Sequence, residues 1–117
     1  MSAPNIVNVS NINGKTAVAS ITTSATDIAA NSAASGLVLK VNALYISNID
    51  GTNAASVTVD LYRASVAYAI VSTVSIPANS TMDLISKAIY LEEGDSLRLT
   101  ASADGDLQAV CSYESIS

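Results

Sequence analysis

The residues best suited to chemistry in this chain are two groups of carboxylates. Glu92, Glu93 and Asp95 form one group, and Asp104 and Asp106 form the other. Paired carboxylates can serve as acid and base in glycoside hydrolysis, and their hard oxygens can also bind calcium. Both groups flank a glycine in a predicted tight turn, where acidic residues are favoured for turn geometry. We therefore expect turns rather than an active site, with a calcium ion at Asp104-Gly105-Asp106 as the alternative.

The remaining candidates for catalysis are weaker still. The chain has no histidine, the commonest general base and metal ligand. Its single cysteine, Cys111, lies in an alternating apolar stretch and is expected to be a buried small hydrophobe. Each glycine stands alone at a predicted turn, so no phosphate-binding loop is expected. We predict no enzyme activity, with no catalytic residue, no cofactor site, no metal ligand and no small-molecule substrate.

Charge composition bears on the partners of the chain. Charged residues make up 13% of the 117 residues, and the net charge is −5. A phosphate-binding surface needs clustered basic residues, whereas the five here are scattered: Lys15, Lys40, Arg63, Lys87 and Arg98. We therefore predict no nucleic-acid partner. So little charge also suggests that part of the surface is covered by other protein.

The sequence contains no recognisable export or membrane signal. Its first residues, Met1-Ser2-Ala3-Pro4-Asn5, have neither a basic nor an apolar region of the signal-peptide kind. No apolar run approaches the length of a membrane span. We expect synthesis in a reducing cytoplasm and no membrane partner.

Hydrophobic residues recur with period two wherever a period can be read. Leu97, Leu99 and Ala101 alternate with polar residues, and stretches 37–46, 57–63 and 107–113 follow the same rule. Such alternation is typical of strands with one face on a core. Asn13-Gly14, Asp50-Gly51, Glu93-Gly94-Asp95 and Asp104-Gly105 are the predicted turns. We expect hairpins at Asn13-Gly14 and between the last two strands, and a weak strand then a loop at 26–35.

Together these patterns predict an all-β protein. Eight to ten short strands should form one antiparallel β-sandwich domain over residues 1–117, either jelly-roll or immunoglobulin-like. Residues 1–36 are more polar than the rest. They are predicted to form edge strands, with an arm that reaches a neighbouring subunit as the alternative.

The stretch from Val66 to Ile76 is apolar on both faces and has no charge. A strand that is apolar on both faces is typical of cover on both sides, although an exposed face of small Ala and Thr residues is the alternative. We predict that the set Ala67, Ala69, Val71 and Thr73 contacts another subunit. The stretch 37–46 is similar, and its second face adds three residues to the predicted interface: Val38, Leu44 and Ile46.

All five aromatic residues are tyrosines. Tyr45 and Tyr113 lie on the apolar sets of their strands and are expected to pack against the core. Tyr62 lies on a polar set, so we predict that it points outward and anchors an interface. The alternative role for outward tyrosines is a platform for sugars.

From about Leu37 to Ile116 the chain resembles small bacteriophage virion proteins. The resemblance rests on Ser56–Leu61, Ile76–Thr81, Leu91–Leu97 and Leu107–Tyr113, in that order. It implies a non-enzymatic structural role in the virion, such as capsid decoration (cement) or a neck, tail or baseplate part. The implied partners are copies of the chain itself, as a homo-oligomer, and other virion proteins.

The leading hypothesis is therefore a virion structural protein that buries apolar β-surface against neighbouring subunits. The alternative is a module of a tail or baseplate that binds host-surface carbohydrate. A cluster of exposed tyrosines around one loop groove would favour that alternative.

Overall fold

A computed structural model describes residues 4–117, which form nine β-strands and no helix. The strands are β1 (Ile12–Ser20), β2 (Thr26–Ala30), β3 (Val38–Asn48), β4 (Ala55–Arg63), β5 (Val66–Ile76), β6 (Thr81–Asp83), β7 (Ile89–Leu91), β8 (Ser96–Ala101) and β9 (Leu107–Ile116). The predicted antiparallel sandwich is confirmed. Residues 4–117 accordingly contain no helix that is long and apolar enough to cross a membrane.

The strands form two sheets, with the topology of one long antiparallel hairpin that is rolled up so that its strands divide between the sheets. Sheet 1 has the order β1-β9-β3-β6, with β7 also paired to β3, and sheet 2 has the order β2-β8-β4-β5. Along the hairpin, β4 pairs with β5, β3 with β6 and β7, β2 with β8, and β1 with β9. Rolling brings β9 against β3 and β8 against β4. This is the jelly-roll arrangement, rather than the immunoglobulin one.

The core lies between the sheets and consists of aliphatic side chains. The alternation predicted for β4, β8 and β9 is confirmed, because Val57, Val59, Leu97, Leu99, Leu107 and Ala109 all point inward and are buried. Cys111 is fully buried among them, as predicted, and this burial raises the pKa of its thiol to about 11. The thiol is therefore kept protonated and is not a nucleophile at neutral pH.

A β-bulge in β3 makes the alternation predicted for stretch 37–46 wrong after Val41, although Leu39 and Val41 are buried as predicted. The register with β9 shifts between Val41 and Ala43, so one extra residue is inserted there. Because an extra residue reverses which side chains point inward, Leu44 and Ile46 turn into the core and are 0% exposed. Tyr45 instead faces outward and is 45% exposed, contrary to its predicted packing.

The predicted turns have mixed outcomes. Asp50-Gly51, Glu93-Gly94-Asp95 and Asp104-Gly105 all lie between strands, as predicted. However, the turn at Asp104-Gly105 connects β8 in sheet 2 to β9 in sheet 1, so the expected hairpin of the last two strands is not formed. Asn13-Gly14 lies inside β1, paired with β9, and is not a turn.

The two strands within residues 12–30 each form an edge. β1 is the edge of sheet 1 beside β9, and β2 is the edge of sheet 2 beside β8. β2 and the loop after it match the prediction for 26–35. Residues 1–3 of the proposed arm lie outside the described residues.

Candidate assembly surface

The first acidic group fastens the end of the β4–β5 hairpin to the β7–β8 turn. Asp95 is buried at 1% exposure, and the Arg63 side chain donates through Nε to its Oδ1 at 2.7 Å. Arg63 Nη2 also donates to Glu92 Oε2 at 2.9 Å, and the Glu92 backbone N–H donates to Asp95 Oδ2 at 2.8 Å. The hydrogen bonds from Arg63 lower the pKa of Asp95 and outweigh the opposing effect of its burial.

Two further carboxylates of the acidic groups, Glu93 and Asp104, join loops in the same way. Glu93 Oε2 accepts a hydrogen bond from the Gly36 N–H at 3.0 Å. Asp104 Oδ1 accepts one from the Thr23 N–H at 2.8 Å. Within residues 4–117 no three acidic or cysteine side chains come together as a metal site would require. Four of the five carboxylates singled out for chemistry, all except Asp106, thus have visible structural roles.

The hairpin end held by Arg63 is a strained turn. Ala64 and Ser65 both have positive φ, 50° and 63°, and Arg63 pairs with Val66 across them. Positive φ at both central residues of a two-residue loop is a type I′ turn, which normally uses Asn-Gly. The right-handed twist that this turn imposes suits a hairpin, but without glycine it carries a conformational cost.

The strand β5 divides into two halves with different environments. In the first half, Val66–Ile70, every residue is exposed, including Tyr68 at 57%. In the second half, Ile76 is fully buried and Val71 and Val74 pack against the core. We call the first half the β5 edge, because β5 is the outermost strand of sheet 2.

The β5 edge is an open strand without the usual protection. No charged residue occurs between Arg63 and Asp83. Edge strands in monomeric proteins commonly carry lysine, proline or a bulge that blocks further pairing. In β5 the first irregularity is at Ile70, the last residue of the β5 edge, which is unpaired, and a second follows at Thr73, which has a φ of 52°. From Val66 to Ala69 the β5 edge therefore offers regular, uncharged backbone to a partner strand.

The predicted interface residues do not all lie on this surface. Ala67 and Ala69 lie on the β5 edge and are exposed. Thr73 is exposed but irregular, and its N–H donates to Thr58 Oγ1 at 3.0 Å. Val71 was assigned to the wrong face, because the shifts in pairing with β4 turn it toward the core.

The other predicted interface residues lie elsewhere in the sandwich. Val38, Leu44 and Ile46 are buried within the subunit and cannot contact a neighbour, which corrects their assignment to an interface. Tyr62 is half-buried on the outer face of sheet 2, with the Arg98 guanidinium 3.9 Å from its ring centre. Arg98 in turn donates from Nε to Asp60 Oδ1 at 2.8 Å, so Tyr62 belongs to a local network.

The exposed tyrosines are dispersed over the surface. Tyr45 lies on β3, and Tyr90 on β7 pairs with Lys40 farther along the same sheet. Tyr68 lies on sheet 2. Tyr113 packs partly against the core, as predicted. The tyrosine cluster around one groove that would favour carbohydrate binding is not formed.

Sequence reasoning missed a second apolar surface on the outer face of sheet 1. Val18 pairs with Val110, which pairs with Tyr45, and their exposures are 74%, 40% and 45%. A shallow groove beside them is lined by residues of β1 and β9: Val18, Ala19, Ser20, Gln108, Ala109 and Val110. The pairing of β1 with β9 could not be read locally, because these strands are far apart in the sequence.

Comparison with known proteins supports the fold and not a family. No protein-family model and no curated protein matches the chain. Among solved structures, the chain is similar to a protein of Bacillus endospore appendages, which are described as a novel family of disulfide-linked pili. The TM-score is 0.54 at 16% identity, over 90% of this chain and 85% of that one. At this identity the likeness establishes a shared fold.

Proposed function

We propose that this chain is a non-enzymatic structural subunit that assembles with copies of itself through the β5 edge. The observation that carries the proposal is the β5 edge, an outermost strand that is exposed, apolar and uncharged. Such a strand is a ready template for pairing with another chain, so it is either covered or prone to aggregation.

The fold likeness supports a structural role. The chain is similar over most of its length to a protein of a bacterial pilus, which is a structural component of an extracellular assembly. The disulfide linkage named for those pili does not carry over, because Cys111 is the chain's single cysteine and is buried. Assembly here would depend on strand pairing and apolar contact instead.

For the particle itself, we propose the virion of a bacteriophage, with synthesis in the host cytoplasm. The support is the resemblance of residues 37–116 to small virion proteins. Capsid decoration is the role we favour, since it needs only self-association and contact with other virion proteins. Immunogold labelling should place the chain on intact particles, and label confined to the cytoplasm would contradict a virion role.

Self-association can be tested with a matched pair of charge variants. Ala69→Lys places a charge on the β5 edge, whereas Ala30→Lys makes the same change on β2, the opposite edge of sheet 2. Both alanines are exposed, so each variant should fold with stability within about 0.5 kcal/mol of the wild type. Sedimentation velocity should show oligomers for wild type and Ala30→Lys and monomers for Ala69→Lys.

The salt dependence of assembly adds a second criterion. Exposed ion pairs contribute little, and the β5 edge contains no charge. Oligomers should therefore persist at high salt. Wild-type protein that stays monomeric at all concentrations would rule out the proposed function.

A further inference from the structure

The described part of the chain has four sheet edges, and only two of them are formed by long strands. β6 and β7 have three residues each, and β2 has five with a register shift between Asp27 and Ala29. In contrast, β1 has nine residues that pair with β9 without interruption. β5 has eleven residues, and its pairing with β4 is regular from Val66 to Ala69, before the shifts that begin at Ile70. Short, bulged or charged edges resist pairing, so β1 and this part of β5 are the more open edges.

At defined residues of the β5 edge, the backbone N–H and C=O groups are not bonded to β4 and point outward. In a hairpin with a two-residue turn, the residues that flank the turn bond each other, and bonded and non-bonded pairs then alternate. Arg63 and Val66 flank the turn, so Ala67 and Ala69 occupy non-bonded pairs with Tyr62 and Asp60. The N–H and C=O groups of Ala67 and Ala69 therefore face away from β4.

The free groups of β1 can be assigned in the same way. Asn11 and Ser117 exchange both of their backbone hydrogen bonds, at 3.0 Å and 2.9 Å. The Ile21 N–H donates to Leu107 O at 2.9 Å, in the same register. Odd-numbered residues of β1 thus bond β9, and even-numbered residues such as Thr16 and Val18 present their backbone groups to the free edge.

We infer that the β5 edge of one subunit pairs with β1 of a second copy, so that sheet 2 of one subunit continues into sheet 1 of the next. This inference rests on the proposed function and names the surface that receives the β5 edge. β1 matches the β5 edge because it is long and regular, and Lys15 is its single charged residue. The apolar groove at Val18 lies beside it and can take side chains of the incoming strand.

A contact between two different strands also has a consequence for the form of the assembly. After each addition the assembly still has one open β5 edge at one end and one open β1 at the other, so growth continues into a filament or closes into a ring. A twofold contact of β5 with β5 would instead leave both β1 strands bare, including Val18 at 74% exposure. Head-to-tail pairing covers both open edges of every interior subunit.

The decisive experiment uses one blocked edge in each of two variants. Ala69→Pro removes an outward N–H from β5, and Val18→Pro removes an outward N–H from β1. Proline is tolerated at such edge positions, because the N–H that it lacks does not bond within the sheet. Each purified variant is studied alone and in an equimolar mixture by sedimentation velocity, with circular dichroism to verify the fold. Ala69→Lys and Val18→Lys replace any proline variant that does not fold.

Head-to-tail pairing predicts that each variant alone is monomeric and that the mixture forms a one-to-one heterodimer. In that heterodimer the intact β5 of Val18→Pro binds the intact β1 of Ala69→Pro. Dimers of Val18→Pro alone would mean that β5 pairs with β5. A mixture that stays monomeric while wild type assembles would also overturn the inference, yet leave self-assembly standing. Wild type that fails to assemble would overturn the proposed function itself.

Discussion

The two halves of β5 both lack charge, yet their apolar side chains have different environments. Val66–Ile70 is exposed throughout, whereas Val71, Val74 and Ile76 pack against the core. The difference arises from the cover that sheet 1 provides, and from the shifts in pairing that turn Val71 inward. An apolar run without charge can therefore serve folding at one end and leave a surface for partners at the other.

The sharpest way to test this difference is the same truncation in each half. Ile76→Ala should lower the free energy of unfolding by about 3 kcal/mol, because it leaves a cavity at a fully buried site. Ile70→Ala, at a site that is 38% exposed, should cost about 0.5 kcal/mol or less. Denaturant unfolding of monomeric protein measures both. Equal losses would show that the two halves are packed alike.

The hydrogen bonds between Arg63 and Asp95, which we call the Arg63 tether, should make the stability of the protein depend on pH. The folded pKa of Asp95 lies below its ordinary value of 3.8, so Asp95 contributes stability above that value and loses it as pH falls through the folded pKa. Asp95→Asn should cost about 2 kcal/mol at neutral pH, since it weakens the charged hydrogen bonds from Arg63. Its stability should also fall less than that of the wild type below about pH 4.

Thermal unfolding at several pH values measures this effect. Asp106→Asn is the matched control, because it changes an acid outside the Arg63 tether. An acid dependence that is the same in Asp95→Asn and in the wild type would exclude the tether as its source.

The smallest expected effect concerns the strained turn. Replacing Ala64-Ser65 with Asn-Gly gives both positive-φ positions the residues that a type I′ turn favours. We expect a gain of about 1 kcal/mol in unfolding free energy and unchanged assembly, because the turn precedes the β5 edge. A loss of stability in denaturant unfolding would mean that the turn is not of this type.

Most of the fold could be predicted from the local sequence pattern. The predictions that failed share one cause, which is that strand register and pairing depend on tertiary contacts. The alternation around Leu97 and Leu99 predicted their burial correctly, because β8 pairs with β4 without a register shift. The bulge before Leu44 has neither glycine nor proline to mark it. Asn13-Gly14 has the sequence of a turn, but tertiary pairing with β9 keeps it extended.

The candidate surface was predictable only in part. The lack of charge in β5 pointed to the strand that forms the candidate surface, and Ala67 and Ala69 lie on its exposed edge. Where the exposed part ends depends on how far sheet 1 extends over sheet 2, which no local pattern contains. The role of β1 depends on β9 for the same reason, because its partner lies at the other end of the sequence.

The pairing of β1 with β9 also bears on how the chain folds. Ile12 pairs with Ile116, so the contact that completes sheet 1 joins residues separated by almost the whole described chain. Contacts of such high sequence separation slow folding, because a large loop must close before they form. During synthesis, β1 remains unpaired until β9 has emerged from the ribosome. β1, the strand that we propose receives the β5 edge of a neighbour, is thus exposed early. A cell that makes many copies at once would benefit from keeping the chains apart until β1 and β9 of each chain have paired.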